Sequence, residues 1–429
     1  MAEIAAGALV AEQVVATGVE AAAAVAIARP TQPLRASLTR VAKASTEDTS
    51  LDLARSHHTV TVIGNKAHIF GGQRPDGTLC STDVHAIALS ADGEVGAQYA
   101  CYPAFPLQDA ATGEIQVPAP RSRHAACARG KFVVIHGGCD GSGTPVEEDA
   151  CLWLWDSESL KWTKVRGETQ IGTILSSRHD HNIFVDEQQD MLLLHGGRVR
   201  SGSDGDCSPV TTETWLYDFN ALAWTTLLPS PAPAMNAAFT DTTLFIVSQD
   251  GDSSGKSMSG AVHYLRLGTS ATEREKPDAL LWQTVSFPIN PLTPGPQPRM
   301  GGAFKPVSTG LGRNYLVYLF GCEAGGSNDE KQSLYSDIWS LQLPAHGLTA
   351  AAAKDAIRDR LPGMGSGEFS WAEVEIVPTE QTEHEGKVHP GPTAFFGADA
   401  CLDGKGVVLW GGLNAKGEKE ADGWMLRVL

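Results

Sequence analysis

Three patterns of hydrophobic and polar positions recur in order along this chain: an apolar run ending in Gly-Gly, a second apolar run beside an Asp, and a Trp with a short strand-like tail. The first pattern appears as AHIFGG (67–72), FVVIHGG (132–138), MLLLHGG (191–197), TLFIVSQ (243–249), YLVYLFG (315–321) and VVLWGG (407–412). The second follows each as DVHAIAL (83–89), CLWLWD (151–156), TWLYD (214–218), VHYLRL (262–267), DIWSLQL (337–343) and DGWMLRVL (422–429). These runs are short and rich in aromatic and β-branched residues, the composition of strands packed on both faces. The third falls at Trp162, Trp224, Trp282 and Trp371; the first repeat offers only Tyr99 in that place, and the last repeat offers nothing before Leu429.

The missing outer strand is found at the other end of the sequence, where Leu38-Thr39-Arg40-Val41 repeats the pattern of Trp162-Thr163-Lys164-Val165 with Leu in place of Trp. The expectation is therefore an all-β chain, a six-bladed β-propeller whose ring is closed by an N-terminal outer strand at about 33–42, leaving no open sheet edge between first and last blades. The repeats set blade bounds at about 54–105, 120–167, 176–229, 233–288, 298–377 and 391–429. Short helical additions are expected. Blade 5 carries an insertion, 347–365, whose LTAAAAKDAIRDRL stretch has helical composition and ends at Pro362, and residues 1–32 form an Ala-rich helical segment. With strands lettered a to d from the channel outward, both helices fall on the face of the a–b and c–d loops, where they are expected to pack together.

The di-glycine after the second strand and the outer-strand Trp resemble the kelch-repeat family of the galactose oxidase-like superfamily, over roughly residues 33–429. Blade 4 departs from the motif with Ser248-Gln249, and blade 5 with Gly321-Cys322. The resemblance implies a kelch-type propeller and, for many such proteins, protein binding. Galactose oxidase itself uses a Tyr–Cys–copper site that nothing here specifies, and the iron-binding E-x-x-x-D-x-x-x-H stretch of plant nitrile-specifier proteins does not occur. A sugar-epimerase type of kelch enzyme, with dispersed Arg, Glu and His around an anionic sugar, is the enzymatic alternative that the resemblance leaves open.

Charge and cysteine content narrow the classes. With 50 acidic and 33 basic side chains the net charge is −17, which repels phosphate backbones and argues against a nucleic-acid partner. Eight cysteines are scattered without a C-x-x-C, the pattern of reduced thiols in a cytoplasmic protein. The N-terminal Ala/Val-rich stretch carries Glu3, Glu12 and Glu20 and no early Lys or Arg, so it lacks the form of a signal peptide or a membrane span.

Candidate binding chemistry gathers where strand a begins. Arg-x-x-His occurs as Arg55 to His58, Arg121 to His124 and Arg178 to His181; blade 5 keeps Arg299 alone, and blades 4 and 6 carry Met235-Asn236 and Pro392-Thr393. Together with Arg123 these residues would form a basic collar at the channel mouth, suited to carboxylates or an acidic peptide. The competing reading is that each Arg and His ties its blade to the next through backbone carbonyls. On the same face lie the polar loops 139–150, 198–213 and 322–332, the usual place for recognition.

His136 and His195 stand where other blades place Phe70, Val247, Phe320 and Trp410, which points to packing. His179-Asp180-His181 is the most metal-like stretch, yet neighbours in a strand face opposite ways. No metal or cofactor is expected, and no G-x-S-x-G, Walker A or dinucleotide fingerprint appears. The reading is a cytoplasmic protein-binding module that takes a partner segment, acidic in character, at the loop face and channel mouth; the alternative is a small-molecule lyase or isomerase acting on an anionic ligand there.

Overall fold

The structure, a computed structural model, describes residues 30–43, 53–89, 99–105, 117–148, 150–169, 174–199, 210–249, 259–268, 281–288, 295–323, 333–363, 365–379 and 389–429. The expected N-terminal helix, residues 200–209 of loop 198–213 and residues 324–332 of loop 322–332 lie outside them.

Six antiparallel sheets surround a central channel, each running a–b–c–d outward. Blade 1 is Thr59–Ile63, Lys66–Phe70, Val84–Ala88 and Tyr99–Tyr102; blade 2 is Ala125–Arg129, Phe132–His136, Leu152–Asp156 and Lys161–Val165. Blade 3 is Asn182–Asp186, Met191–His195, Thr214–Asp218 and Ala223–Leu227; blade 4 is Asn236–Thr240, Thr243–Gln249, Gly260–Arg266 and Gln283–Ser286. Blade 5 is Ala303–Gly310, Arg313–Leu319, Ile338–Gln342 and Ser370–Glu373, and blade 6 begins with Gly397–Cys401, Gly406–Trp410 and Asp422–Val428.

The ring closes through Arg35–Lys43, which pairs antiparallel with Asp422–Val428 as the outer strand of blade 6. Its other edge takes a parallel partner, Glu375–Ile376 from the tail of blade 5. Leu38 is 1% exposed among the core of blades 5 and 6, so the residue that replaces Trp in this strand fills the same outer wedge.

The strands b and c, apolar on both sides, are buried because each blade is sandwiched between two others. Outer tryptophans pack back onto the preceding blade: Trp162 against Phe70 at 5.2 Å, Trp224 against His136 at 5.9 Å, Trp282 against His195 at 6.0 Å and Trp371 against Phe287 at 5.2 Å between ring centroids. His136 and His195 thus receive the next blade's Trp, the task Phe70 performs in blade 1.

The di-glycine has its own steric cause. Gly137 sits at φ 60°, and a Cβ on it would lie 2.4 Å from the carbonyl oxygen of Arg178 and 2.8 Å from the His181 ring. Only a residue without a side chain allows the lead-in to the next blade to press so close.

One helix, α1 (Ala350–Arg358), lies in the blade 5 insertion. Thr349 caps its N-terminus, accepting from the Ala352 N–H at 3.2 Å, and the buried Arg313–Asp355 pair pins it to blade 5. Among the described residues no helix is long and apolar enough to cross a membrane.

Candidate functional site: the channel mouth

The three arginines of the Arg-x-x-His pattern and Arg299 do not line an open collar. Arg55 is 1% exposed, and Arg121, Arg178 and Arg299 are fully buried. Arg121 donates from Nη1 to the Gly137 carbonyl at 3.0 Å, grips the Glu148 carboxylate at 2.6 and 2.7 Å, and donates from Nε to the Ala119 carbonyl at 2.9 Å. Arg178 does the same with Gly196, Glu213 and Ser176, and Arg299 with Phe320, Asp337 and Gln297. Arg55 reaches the Gly71 carbonyl at 3.1 Å and the His85 ring at 3.0 Å. A planar guanidinium here bridges the end of strand b to the carboxylate that opens strand c, which satisfies its fork inside the blade. Those carboxylates also accept from a strand-c indole: Trp153 to Glu148, Trp215 to Glu213 and Trp339 to Asp337.

The same arginines stitch blades together through their carbonyls. Gly72 N–H donates to Arg121 O, Gly138 N–H to Arg178 O and Gly412 N–H to Arg55 O, each at 2.9 Å. Blade 4, which lacks the di-glycine, reaches the Arg299 carbonyl instead with the Asn236 side-chain amide at 2.6 Å.

The histidines of the pattern are likewise interior. His58, His124 and His181 are each 5% exposed. His124 Nε2 meets Thr59 Oγ1 at 2.8 Å, and His181 Nε2 meets His136 Nδ1 at 2.9 Å, both across a blade seam. Burial first, and the charge of Arg121 second, push His124 down to about 3; burial also holds His58 and His181 well below the ordinary histidine value, Arg55 adding to the effect at the former and His136 at the latter. Neutral rings result. Geometry therefore corrects the expectation for these seven residues: their polar groups are engaged in, or enclosed by, the frame of the ring.

The second of the two residues between Arg and His stands apart from this frame. His57, Arg123, Asp180 and Phe395 occupy this place in blades 1, 2, 3 and 6, all with left-handed backbones at φ 56°, 56°, 54° and 58°, and blade 5 places Gly301 there. For a residue with a side chain that conformation costs roughly 1 kcal/mol or more. It is held by a belt of interblade hydrogen bonds: Phe395 N–H to Gly301 O at 2.7 Å, then His57 to Phe395, Arg123 to His57 and Asp180 to Arg123, each at 2.9 Å. The belt stops at blade 4, where Met235 N–H turns to strand b of its own blade at Val247 O, 2.8 Å away.

The side chains on this belt form one surface. His57 stacks on Phe395 with centroids 4.4 Å apart and planes 20° from parallel. Arg123 faces Asp180 at 3.4 Å, with side chains 38% and 40% exposed, and His179 Nδ1 lies 2.9 Å from the same carboxylate. From blade 6, Lys419 reaches the Arg74 carbonyl of blade 1 across the seam. Burial pushes His57 down to about 4, helped by the positive fields of Arg123 and Lys419 and opposed by Asp180. Burial alone would raise Asp180, but the His179 hydrogen bond and the Arg123 charge outweigh it and hold the carboxyl below its ordinary value. At neutral pH the mouth thus offers an aromatic platform with a neutral imidazole, flanked by Arg123 and Lys419, and one carboxylate.

Among the described residues no group of three or more His, Cys, Asp or Glu side chains is placed to hold a metal. His179 and His181 are separated by the belt, the first turned to Asp180 and the second into the blade seam. Of the residues expected to bind, Arg123 alone is open to solvent. His57, Asp180 and Phe395 were missed, although reading the third position of the Arg-x-x-His pattern across the blades points to them.

Fold and repeat pattern together define a six-bladed β-propeller of kelch type. The family model described as the KLHDC2/KLHL20/DRC7 Kelch-repeats domain matches residues 53–250. The dynein alpha chain of the flagellar outer arm of Chlamydomonas reinhardtii is 30% identical over 115 residues, which is 25% of this chain. The match spans 2% of the length of that relative. A solved structure of YjhT superposes with a TM-score of 0.53 at 13% identity, covering 86% of this chain and 94% of that one; a likeness at this identity concerns the fold. Kelch-repeat domains serve in general as protein-interaction modules.

Proposed function

We propose that this propeller binds a segment of a partner protein at the channel mouth, and that the segment carries a carboxylate beside an apolar or aromatic side chain. The observation that carries the reading is the belt: four residues with side chains hold a left-handed conformation and are linked from blade to blade by backbone hydrogen bonds. Strain of this kind, kept where glycine would relieve it, marks sites where the side chain itself is needed.

The chemistry of the segment follows from the two halves of the surface. Arg123 and Asp180 form an exposed pair at 3.4 Å, an interaction worth about 0–1 kcal/mol, so an incoming carboxylate can take over the guanidinium at little cost and with better, bidentate geometry. The His57–Phe395 stack offers a flat face for an apolar or aromatic neighbour. Acidic character in the partner suits Arg123 and Lys419, although the chain as a whole carries −17.

The test is quantitative capture of partners by the native protein, by Arg123→Ala and by Phe395→Ala, read by mass spectrometry with thermal midpoints as the folding control. A protein retained by the wild type and lost by both well-folded variants supports the proposal. Retention by both variants, or loss of a small anion in place of a protein, refutes it.

A further inference from the structure

The opposite face, with the a–b and c–d loops, carries an exposed apolar patch around α1. Ala350, Ala353 and Ile357 follow one another at spacings of three and four along its outward side, and Leu361 stands in the turn after its end. Ile357 is 44% exposed and Leu361 42%. Leu348, just before the helix, is fully exposed, and Leu311, at the a–b turn beside it, is 80% exposed while its carbonyl accepts from Ala351 N–H at 3.0 Å. Four large aliphatic side chains together on one face are more than the scattered single exposures that need no partner.

Next to this patch lies an open cleft of about 560 Å³, between Pro30, Gln32, Arg358, Ser366 and Phe369. The described chain begins in the wall of that cleft, at Pro30. Gln32 anchors it there, donating to the Ser370 carbonyl at 3.2 Å and accepting from Ser340 Oγ at 3.1 Å, while Tyr315 donates to the Thr31 carbonyl at 2.7 Å. The residues that precede Pro30 are therefore tethered within reach of α1.

Their composition matches the patch. Residues 1–29 hold 12 Ala and five Val, with Ile4, Leu9 and Ile27, and their acids Glu3, Glu12 and Glu20 meet no cation before Arg29. The outward side of α1 and its exit carry Arg360, exposed beside Leu361. A short tether gives an effective concentration on the order of millimolar, so a weak apolar contact suffices in cis where a second copy would need a stable dimer interface.

We infer that residues 1–29 dock on the α1 face and cover Leu311, Leu348, Ile357 and Leu361, clamping the anchor that leads into the closing strand of the ring. The full-length protein would be digested with a Glu-specific protease, following cleavage after Glu12 and Glu20. Docking makes these cuts slow in the wild type and at least 10-fold faster in Ile357→Asp/Leu361→Asp, whose substitutions lie on the exposed surface. A reciprocal variant, Val15→Asp/Val19→Asp, keeps the patch intact and should raise hydrogen exchange over residues 348–361. Wild-type cleavage at the rate of a free peptide of the same sequence overturns the inference. So does protection that disappears on dilution, which would make a second copy the occupant.

Discussion

Two arginines two residues apart should behave oppositely when removed. Arg121 has no exposed surface and makes hydrogen bonds to Ala119 O, Gly137 O and both oxygens of Glu148. Arg121→Ala strands that carboxylate and the Gly137 carbonyl in the blade interior, and breaking a buried pair from one side costs about 3–5 kcal/mol. The Glu148 side chain keeps 11% of its surface, so water relieves part of the penalty and the lower end, about 3 kcal/mol, is expected. That is roughly a hundredfold shift in the unfolding equilibrium, or a fall of about 1 M in the urea midpoint for a slope near 3 kcal/mol/M. Arg123→Ala removes an ion pair 38% and 40% exposed, so its cost stays below about 1 kcal/mol and the midpoint barely moves. Partner binding should follow the reverse order: lost with Arg123→Ala, retained by whatever fraction of Arg121→Ala remains folded. Urea unfolding followed by tryptophan fluorescence, with binding measured on the same samples, reads both. A stable Arg121→Ala that has lost its partner would refute the division between frame and mouth.

Other consequences are open to the same methods. His124, His136 and His195 are pushed down from 6.5 to about 3, by burial first, so the folded protein keeps them neutral while the unfolded chain protonates them below 6.5. Their contribution is complete above that pH and falls as pH drops toward the folded values, by about 1.4 kcal/mol per histidine per pH unit; urea midpoints at pH 7.5 and 5.5 should differ clearly, and a flat profile contradicts the burial. Gly137→Ala places a Cβ 2.4 Å from Arg178 O, and overpacking together with the left-handed backbone should destabilise by about 1–3 kcal/mol, visible as a lower thermal midpoint. Leu38→Ala, in the closing strand and 1% exposed, should cost about 2–5 kcal/mol, and an unchanged midpoint would mean that this strand does not hold the ring shut. Asn236→Ala removes the amide that reaches Arg299 O at 2.6 Å, leaving that carbonyl short of a partner at about 1–3 kcal/mol; faster hydrogen exchange at the blade 4–5 seam should accompany it.

The ring was legible because its signals are local and repeated. Each di-glycine, each aspartate-flanked apolar run and each outer Trp answers to one steric need that recurs in every blade, and even the closing strand left a trace in Leu38-Thr39-Arg40-Val41. The site was less legible because the same repetition conceals it. Arg55, Arg121, Arg178 and Arg299 are eye-catching through recurrence, and recurrence here follows from a common structural task. Their carboxylate partners lie 27, 35 and 38 residues downstream in blades 2, 3 and 5, a spacing that loop length scrambles, so the buried pairing could not be read from the chain. His57, Arg123, Asp180 and Phe395 share a backbone conformation while differing in chemistry, and conformation is what a pattern of residue types does not display.

In the proposed function the belt residues at the mouth, and not the buried arginines, meet the partner. This is tested most directly by selecting binders from a random peptide display library on the native protein and titrating the enriched peptides against the wild type, Arg123→Ala and Phe395→Ala. Peptides pairing Asp or Glu with an apolar or aromatic residue are expected, each losing at least tenfold in affinity with either variant. Peptides without a carboxylate, or peptides that bind all three proteins equally, would contradict it.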